Sequence, residues 1–262
     1  MSGEQAEPLL ELRGVTKHFG GLRAVASCDL VVQAGHAHGI IGPNGAGKTT
    51  LFNLITGIYQ PDAGYIRLRG ESLVGRRPNW IAARGVGRTF QNIRLCKELT
   101  VLDNVRLAYD SRLKTSPLAA LFSTPALRRD ELRSRDESLA ILEAFGLGAE
   151  ALTPAGALAY GRQRRLEIAR AIALQPAVLL LDEPAAGLNS GEMAELLGFL
   201  RWVRERFNVT IVLIEHHMQL VMGLCDRISV FDFGEKIAEG TPAEIRADRR
   251  VIDAYLGEEV HP

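Results

Sequence analysis

Gly42-Pro43-Asn44-Gly45-Ala46-Gly47-Lys48-Thr49 puts three glycines, a lysine and a hydroxyl into eight residues and fits the spacing GxxxxGK[ST]. Glycines at these places let the backbone curl until successive N–H groups point inward at phosphate oxygens, and a helix beginning at the end of the loop adds its partial positive charge. Within such a loop Lys48 neutralises the β- and γ-phosphates, the Thr49 hydroxyl ligates Mg²⁺, and Thr50 offers a hydroxyl to the α-phosphate. Far downstream, the apolar run Val178-Leu179-Leu180-Leu181 closes on Asp182 and Glu183. An acid at that place holds Mg²⁺ through water, and the next one polarises an attacking water as a general base. Either group has a bland reading, a glycine-rich turn or a strand closed by solvated acids. Together they point to nucleoside triphosphate hydrolysis, with kinases, GTPases, helicases and transporters still open.

These groups need particular elements behind them. Leu9 to Val15 alternates apolar and charged residues as a half-buried strand does, and Leu30 to Val32 repeats the pattern. Gly39-Ile40-Ile41 is a short buried strand running into the glycine loop. Leu51, Phe52, Leu54, Ile55 and Ile58 then recur at helical spacing, with Gly57 placed to stop the helix. Pro61 to Gly64 reads as a turn and Tyr65 to Leu68 as a strand. From about 99 to 174 the pattern is helical, broken by Lys114 to Pro125, where Pro117 and Pro125 bracket Leu118, Leu121 and Phe122. Beyond Pro176 three β-rich apolar runs, Val178 to Leu181, Val209 to Ile214 and Ile228 to Phe231, alternate with helical segments, as a parallel sheet covered on both faces requires. The expectation is an α/β phosphate-loop core with an antiparallel β part and an inserted helical subdomain: one domain over 9–256, the subdomain at about 99–174, and tails at 1–8 and 257–262.

Composition narrows the class. The 262 residues carry 31 Lys plus Arg against 31 Asp plus Glu and are 47 % apolar, so a large core is available and disorder is excluded. Zero net charge provides no global field for nucleic acid. Cys28, Cys96 and Cys225 are odd in number and lack CxxC spacing, which suits a reducing cytosol. The segment Met1 to Pro8 carries two acids and no apolar core, and the apolar runs fall far short of the ~20 residues of a membrane span, so neither signal peptide nor span is expected.

Leu158-Ala159-Tyr160-Gly161-Arg162 and the helical pattern of Gln163 to Ala171, lying between the two nucleotide motifs, resemble the signature of ATP-binding subunits of ABC transporters. Gln91 in Thr89-Phe90-Gln91-Asn92 matches the family's Q-loop, Ala186-Gly187-Leu188-Asn189 its D-loop, and His216 its switch histidine. Phe19 falls where the family sets an aromatic ring against adenine, and Val25 where an apolar side chain packs beside it. The resemblance covers Leu9 to Leu256 with the motifs in order. Arg88 to Leu95, Leu158 to Gly161, Glu183 to Asn189, and Leu213 to His216 with Leu220 to Gly223 look most like the LivG-type subunits of branched-chain amino acid importers, as does the Pro-bracketed insert.

The resemblance implies ATP and Mg²⁺ as cofactors, Thr49, Gln91 and Asp182 around the metal, Glu183 as base, and His216 on the γ-phosphate. It implies partners as well: a second ATPase bound head-to-tail, two membrane permease subunits and an external binding protein, with this chain peripheral on the cytoplasmic face of the inner membrane and soluble when alone. Against the usual LSGGQ, Ala159 replaces Ser, Tyr160 the first Gly and Arg162 the Gln, which removes one hydroxyl donor to the partner's ATP. Gly161 N–H and the helix start remain as anion donors. His217 stands where the family usually has Asp, and a surface position is expected for it. His36 and His38, two apart, suggest a metal pair without a third ligand, so packing or surface placement is the plainer expectation. Arg162, Arg164 and Arg165 have no interleaved aromatics to stack bases and read as a solvated or subunit-contacting helix face. The alternatives are an ABC system for another small solute or lipid, and a soluble ABC ATPase acting on nucleic acid or translation. Neither a fused second unit nor a long coiled coil appears for the latter. A nucleotide-gated module without hydrolysis is disfavoured by the intact Glu183.

Overall fold

The computed structural model describes residues 7–112 and 125–256. They fall into two compact units, one formed by 7–86 with 177–256 and the other by 87–176. The Pro-bracketed stretch read at Lys114 to Pro125 lies outside the described residues, apart from Pro125.

In the first unit an antiparallel sheet has the order β2-β1-β4-β5, built from β1 (Leu10–Phe19), β2 (Leu22–Val32), β4 (Ala63–Leu68) and β5 (Glu71–Ser72). Leu10, Leu12 and Val15 of β1 enter the core while the charged residues between them do not, so the alternation predicted a real face. Both strands of the first hairpin run longer than predicted. Their distal ends, such as His18-Phe19 and Leu22-Arg23, are exposed and lack an apolar period to announce them.

The second sheet has the order β10-β9-β3-β8-β7-β6. Its strands are β3 (Ala37–Ile41), β6 (Val86–Arg88), β7 (Val178–Asp182), β8 (Thr210–Ile214), β9 (Arg227–Asp232) and β10 (Glu235–Gly240). β3, β7, β8 and β9 pair in parallel and are almost wholly buried, which explains the unbroken apolar runs Val178 to Leu181 of β7 and Ile211 to Ile214 of β8. β10 closes the edge as an antiparallel hairpin with β9. Its sequence, Glu-Lys-Ile-Ala-Glu-Gly, is that of a protected edge, charged where a further strand would pair, and it was invisible to a search for apolar runs. Helix α1 (Lys48–Ile55) buries Leu51, Phe52, Leu54 and Ile55 and stops at Gly57, whose φ is +72°; the predicted periodicity overshoots at Ile58, which is exposed. Helix α2 (Pro78–Ala83) was not predicted.

The second unit is helical. It contains α3 (Val101–Asp110), capped by Thr100, α4 (Pro125–Ala144) and α5 (Tyr160–Ala173), with α3 packed against both of the others. Val101, Val105, Leu142, Phe145, Leu166 and Ile168 are buried. The first unit ends with α6 (Ser190–Phe207), α7 (Met218–Leu224), α8 (Pro242–Ala247) and α9 (Arg249–Leu256). Among the described residues no helix is long and apolar enough to cross a membrane.

Candidate active site

Strands β3, β7 and β8 are neighbours, with Ile40 and Asp182 both level with Ile214, so the loops that follow them emerge at one carboxyl edge of the sheet. Open parallel sheets bind their ligands beyond that edge. Each glycine of the first loop has its own reason to be there. A methyl on Gly42 would lie 1.9 Å from the Phe231 carbonyl oxygen, and one on Gly47, at φ +92°, 2.1 Å from that of Ala24. Gly45, at φ +80°, has nothing within 4 Å of such a methyl, so the loop is pressed on the protein at both ends and open in the middle.

Lys48 is buried, and its Nζ donates to the Gly42 and Pro43 carbonyls at 2.6 and 2.7 Å. Helices α3, α6 and α8 have their first-turn N–H groups capped by Thr100, Asn189 and Thr241. Helix α1 starts at Gly47 with no side-chain cap and no acid in its first turn. An uncapped helix start behind a curled glycine loop fits a polyphosphate, since an anion there takes the place of the missing cap. Thr49 is exposed beside this start, and Asp182 is buried at the end of β7. A hydroxyl and a carboxylate are hard oxygen donors of the kind Mg²⁺ takes with phosphate and water.

Glu183 breaks the strand sharply. Its φ is +47°, a left-handed conformation that costs a non-glycine residue roughly 1 kcal/mol or more, and its N–H donates to the Ile214 carbonyl at 2.9 Å. His216, one residue beyond the buried Glu215, is half exposed, and its ring centroid lies 4.0 Å from that of His217. The expectation that His217 lies on the surface is corrected. Its side chain is only partly exposed, at 27 %, and Nδ1 sits 2.9 Å from a Glu215 carboxylate oxygen.

Phe19 is 41 % exposed, with its ring edge-on to Tyr59 at 5.1 Å and Lys17 Nζ 5.6 Å from its centroid, so it keeps an open face on which a base can stack. Val25 differs from expectation. It is 1 % exposed and belongs to the main core, and therefore offers no side-chain surface to a base. His38 is buried against Ser229 Oγ at 2.9 Å, whereas His36 is exposed, so they do not act as a metal pair. Burial pushes the His38 imidazole down to about 4. All three cysteines are free, and burial pushes the Cys28 and Cys225 thiols up to about 12.

In the second unit Gln91 and Tyr160 are exposed while the backbone beneath them is fixed. Arg164 Nη1 donates to the Phe90 carbonyl and to Glu167 Oε2, both at 3.0 Å, and Nη2 donates to the Gln91 carbonyl and the Tyr160 hydroxyl, both at 3.3 Å. Glu167 Oε1 accepts from the Phe90 and Arg94 N–H groups. Arg164 is thus 3 % exposed, which corrects the expectation of a solvated arginine face; of that cluster only Arg162 is exposed, and it pairs with Glu150 at 2.6 Å. Leu158 is buried, and Ala159 opens α5 without a side-chain cap or a first-turn acid. With Gly161 exposed there, the second unit presents another helix start that suits an anion.

Residues 25–186 match the family model described as ABC transporter. The chain belongs to the ABC transporter family. A second model, described as branched-chain amino acid ATP-binding cassette transporter, matches residues 235–261 of this cassette. The high-affinity branched-chain amino acid transport ATP-binding protein BraF of Pseudomonas aeruginosa is 49 % identical over 253 residues, covering 97 % of the cassette and 99 % of BraF. LivG of Escherichia coli K12, similarly named, is 48 % identical with the same coverage. Among solved structures, the ADP conformation of MJ1267, an ATP-binding cassette of an ABC transporter, superposes with a TM-score of 0.82 at 29 % identity, over 96 % of this chain and all of that one. The ABC cassette is therefore an ATP-hydrolysing subunit by family. Sequence reasoning gave Glu215 and Glu167 no role and set Arg164 on a solvated or subunit-contacting face. A charged residue at the end of an apolar strand, or one helical turn from an opposite charge, is a surface pattern far more often than a buried one, and neither spacing could separate the two.

Proposed function

We propose that this chain hydrolyses ATP to drive an importer of branched-chain amino acids, as the ATP-binding subunit docked on membrane permeases that an external binding protein supplies. Residues 9–256 act as one nucleotide-binding domain, with the helical part at about 99–174 inserted in it. The observation that carries the reading is the uncapped start of α1 behind the Gly42–Thr49 loop, at the same sheet edge as Asp182, Glu183 and His216. The names of BraF and LivG support the solute class.

Lys48 and the amides of Gly42 to Thr50 hold the phosphates, and Phe19 stacks on the adenine. Thr49, Asp182 and Gln91 would hold a Mg²⁺, which would balance charge on the phosphates. Glu183 takes a proton from water as the water oxygen bonds to the γ-phosphorus; the bond from that phosphorus to the bridging oxygen breaks, and its electron pair leaves on ADP. His216 holds the γ-phosphate and water in line. Each motif occurs once, so the two halves of a site come from two chains placed head-to-tail, with Leu158 to Arg162 facing the partner's ATP. The absent serine hydroxyl at Ala159 makes the two sites unequal when the sister chain has one, since a hydrogen bond to a charged group contributes about 1.5 to 3 kcal/mol. The chain sits at the cytoplasmic face of the inner membrane through its partners and takes no nucleic acid.

Purification of the tagged chain from membranes tests this. Two permease subunits and a second ATPase are expected to copurify, and the complex reconstituted in vesicles with its binding protein is expected to couple hydrolysis to leucine, isoleucine or valine uptake. A complex that responds to another solute overturns the solute class, and recovery without membrane partners overturns the transport role.

A further inference from the structure

Glu215 is wholly buried at the carboxyl end of β8, between the two loops that carry the proposed reacting groups. Its two carboxylate oxygens serve different loops. Oε1 accepts from the Ala185 N–H at 2.7 Å, two residues beyond Glu183. Oε2 accepts from the N–H groups of His216 at 3.0 Å and His217 at 3.2 Å, and lies 2.9 Å from His217 Nδ1. An ionised carboxylate has only acceptor sites, so Nδ1 carries the hydrogen of that contact.

We propose that Glu215 is a positioning residue for hydrolysis: its carboxylate fixes the loop of Glu183 against the loop of His216, and His217 completes the device. This rests on the roles given above to Glu183 and His216. Glu183 lies at the left-handed start of a tight turn, closed by the Ala186 N–H on its own carbonyl at 3.2 Å, so the direction of its side chain depends on where that turn is held. The Ala185 contact holds the turn at a point where the loop has left the sheet. On the other side Glu215 sets the His217 ring, and that ring, 4.0 Å away and tilted by 39°, backs the ring of His216, which is otherwise half exposed. An isosteric amide cannot do both jobs. Glutamine turned to satisfy His216 and His217 presents its NH₂ to the Ala185 N–H, and turned the other way presents it to the histidine loop, so a donor meets a donor on one side.

The test uses the transporter complex purified from membranes, with ATP turnover at saturation, nucleotide affinity and thermal unfolding measured on each variant. Glu215→Gln is expected to lower turnover on the order of ten-fold or more, because small misplacements of reacting groups cost rate steeply, while ATP affinity stays within about two-fold because the phosphate loop and α1 are untouched. His217→Phe, which keeps a ring and loses the donor, should fall in the same direction. His217→Asn, whose Nδ2 can donate from the place of Nδ1, should retain more turnover than His217→Phe. A role confined to stability moves only the unfolding temperature and leaves turnover per folded complex unchanged. Turnover of Glu215→Gln within two-fold of wild type, with Glu183→Gln inactive beside it, overturns the inference. If Glu183→Gln is itself active, the reading of the site fails instead. Should Glu215→Gln not assemble, the pair at His217 decides: equal turnover in the two overturns the inference, and a lower value for Phe supports it.

Discussion

Arg164 and Glu167 are 3 % and 1 % exposed and 3.0 Å apart, one helical turn from each other on α5, and between them they engage backbone groups of Phe90, Gln91 and Arg94. Arg164→Met leaves the Glu167 carboxylate buried with only two N–H donors at 3.3 Å, and removing one partner of such a pair costs about 3 to 5 kcal/mol. Glu167→Gln keeps an oxygen for those amides but strands the guanidinium, at a similar cost of about 3 kcal/mol. In the double variant no charge is left. The remaining penalty is that of the Phe90 and Gln91 carbonyls losing their donor, about 1 to 3 kcal/mol for each carbonyl closed off from water. At the middle of these ranges the singles sum to about 7 kcal/mol and the double variant costs about 4, so the double should be destabilised by about 3 kcal/mol less than the sum, well above the ~0.5 kcal/mol scatter of independent sites. Denaturant unfolding of the four proteins, followed by a probe within residues 87–176, measures the cycle. Additivity within that scatter refutes the buried pair, and with it the claim that the backbone under Gln91 and the hydroxyl of Tyr160 share one support.

Two further outcomes follow from the coordinates. Gly42→Ala forces a methyl to 1.9 Å from the Phe231 carbonyl at a φ of +144°, so the loop must move and ATP affinity measured by titration should collapse; Gly45→Ala is strained by its φ of +80° but meets no atom within 4 Å, and should lose less. His38 is held neutral by burial, with its folded value near 4 against an ordinary 6.5, and it faces Ser229, with Glu239, Lys236 and Arg227 nearby. Below pH 6.5 the unfolded chain takes up a proton that the folded chain refuses until about pH 4, so this group's contribution is complete above 6.5 and is lost across that window at up to about 1.4 kcal/mol per pH unit. His38→Asn should flatten the fall in stability between pH 6.5 and 4, and an unchanged slope counts against the burial of a neutral imidazole.

The parts of the site legible in the sequence are those where local chemistry alone demands a residue type. The glycines at 42, 45 and 47 are dictated by backbone conformation and close approach, and the run Val178 to Leu181 by a strand buried on both faces, so both could be placed without knowing what packs on them. Val25, placed beside adenine by family resemblance alone, lies in the core, and Ile58 was misjudged because helical spacing continues past the glycine that ends α1. β10 and the distal halves of β1 and β2 carry charged or exposed residues, so their strand character comes from pairing with neighbours distant in the chain. Glu215 is the clearest case of information held only in the fold. Its partners come from 30 residues upstream and from the two residues that follow it, and the carboxylate acquires a role only when β7 and β8 lie side by side.

Glu183, turned out of β7 at a φ of +47°, is proposed as the base that activates water against ATP held on the Gly42–Thr49 loop. Comparing wild type with Glu183→Gln in the purified transporter, by phosphate release and by retention of labelled ATP, tests it most directly. ATP is expected to bind with wild-type affinity and turnover to fall on the order of 10²-fold or more, because the amide keeps the size and backbone strain of the glutamate while giving up the proton acceptor. Phosphate release by Glu183→Gln at the wild-type rate contradicts it.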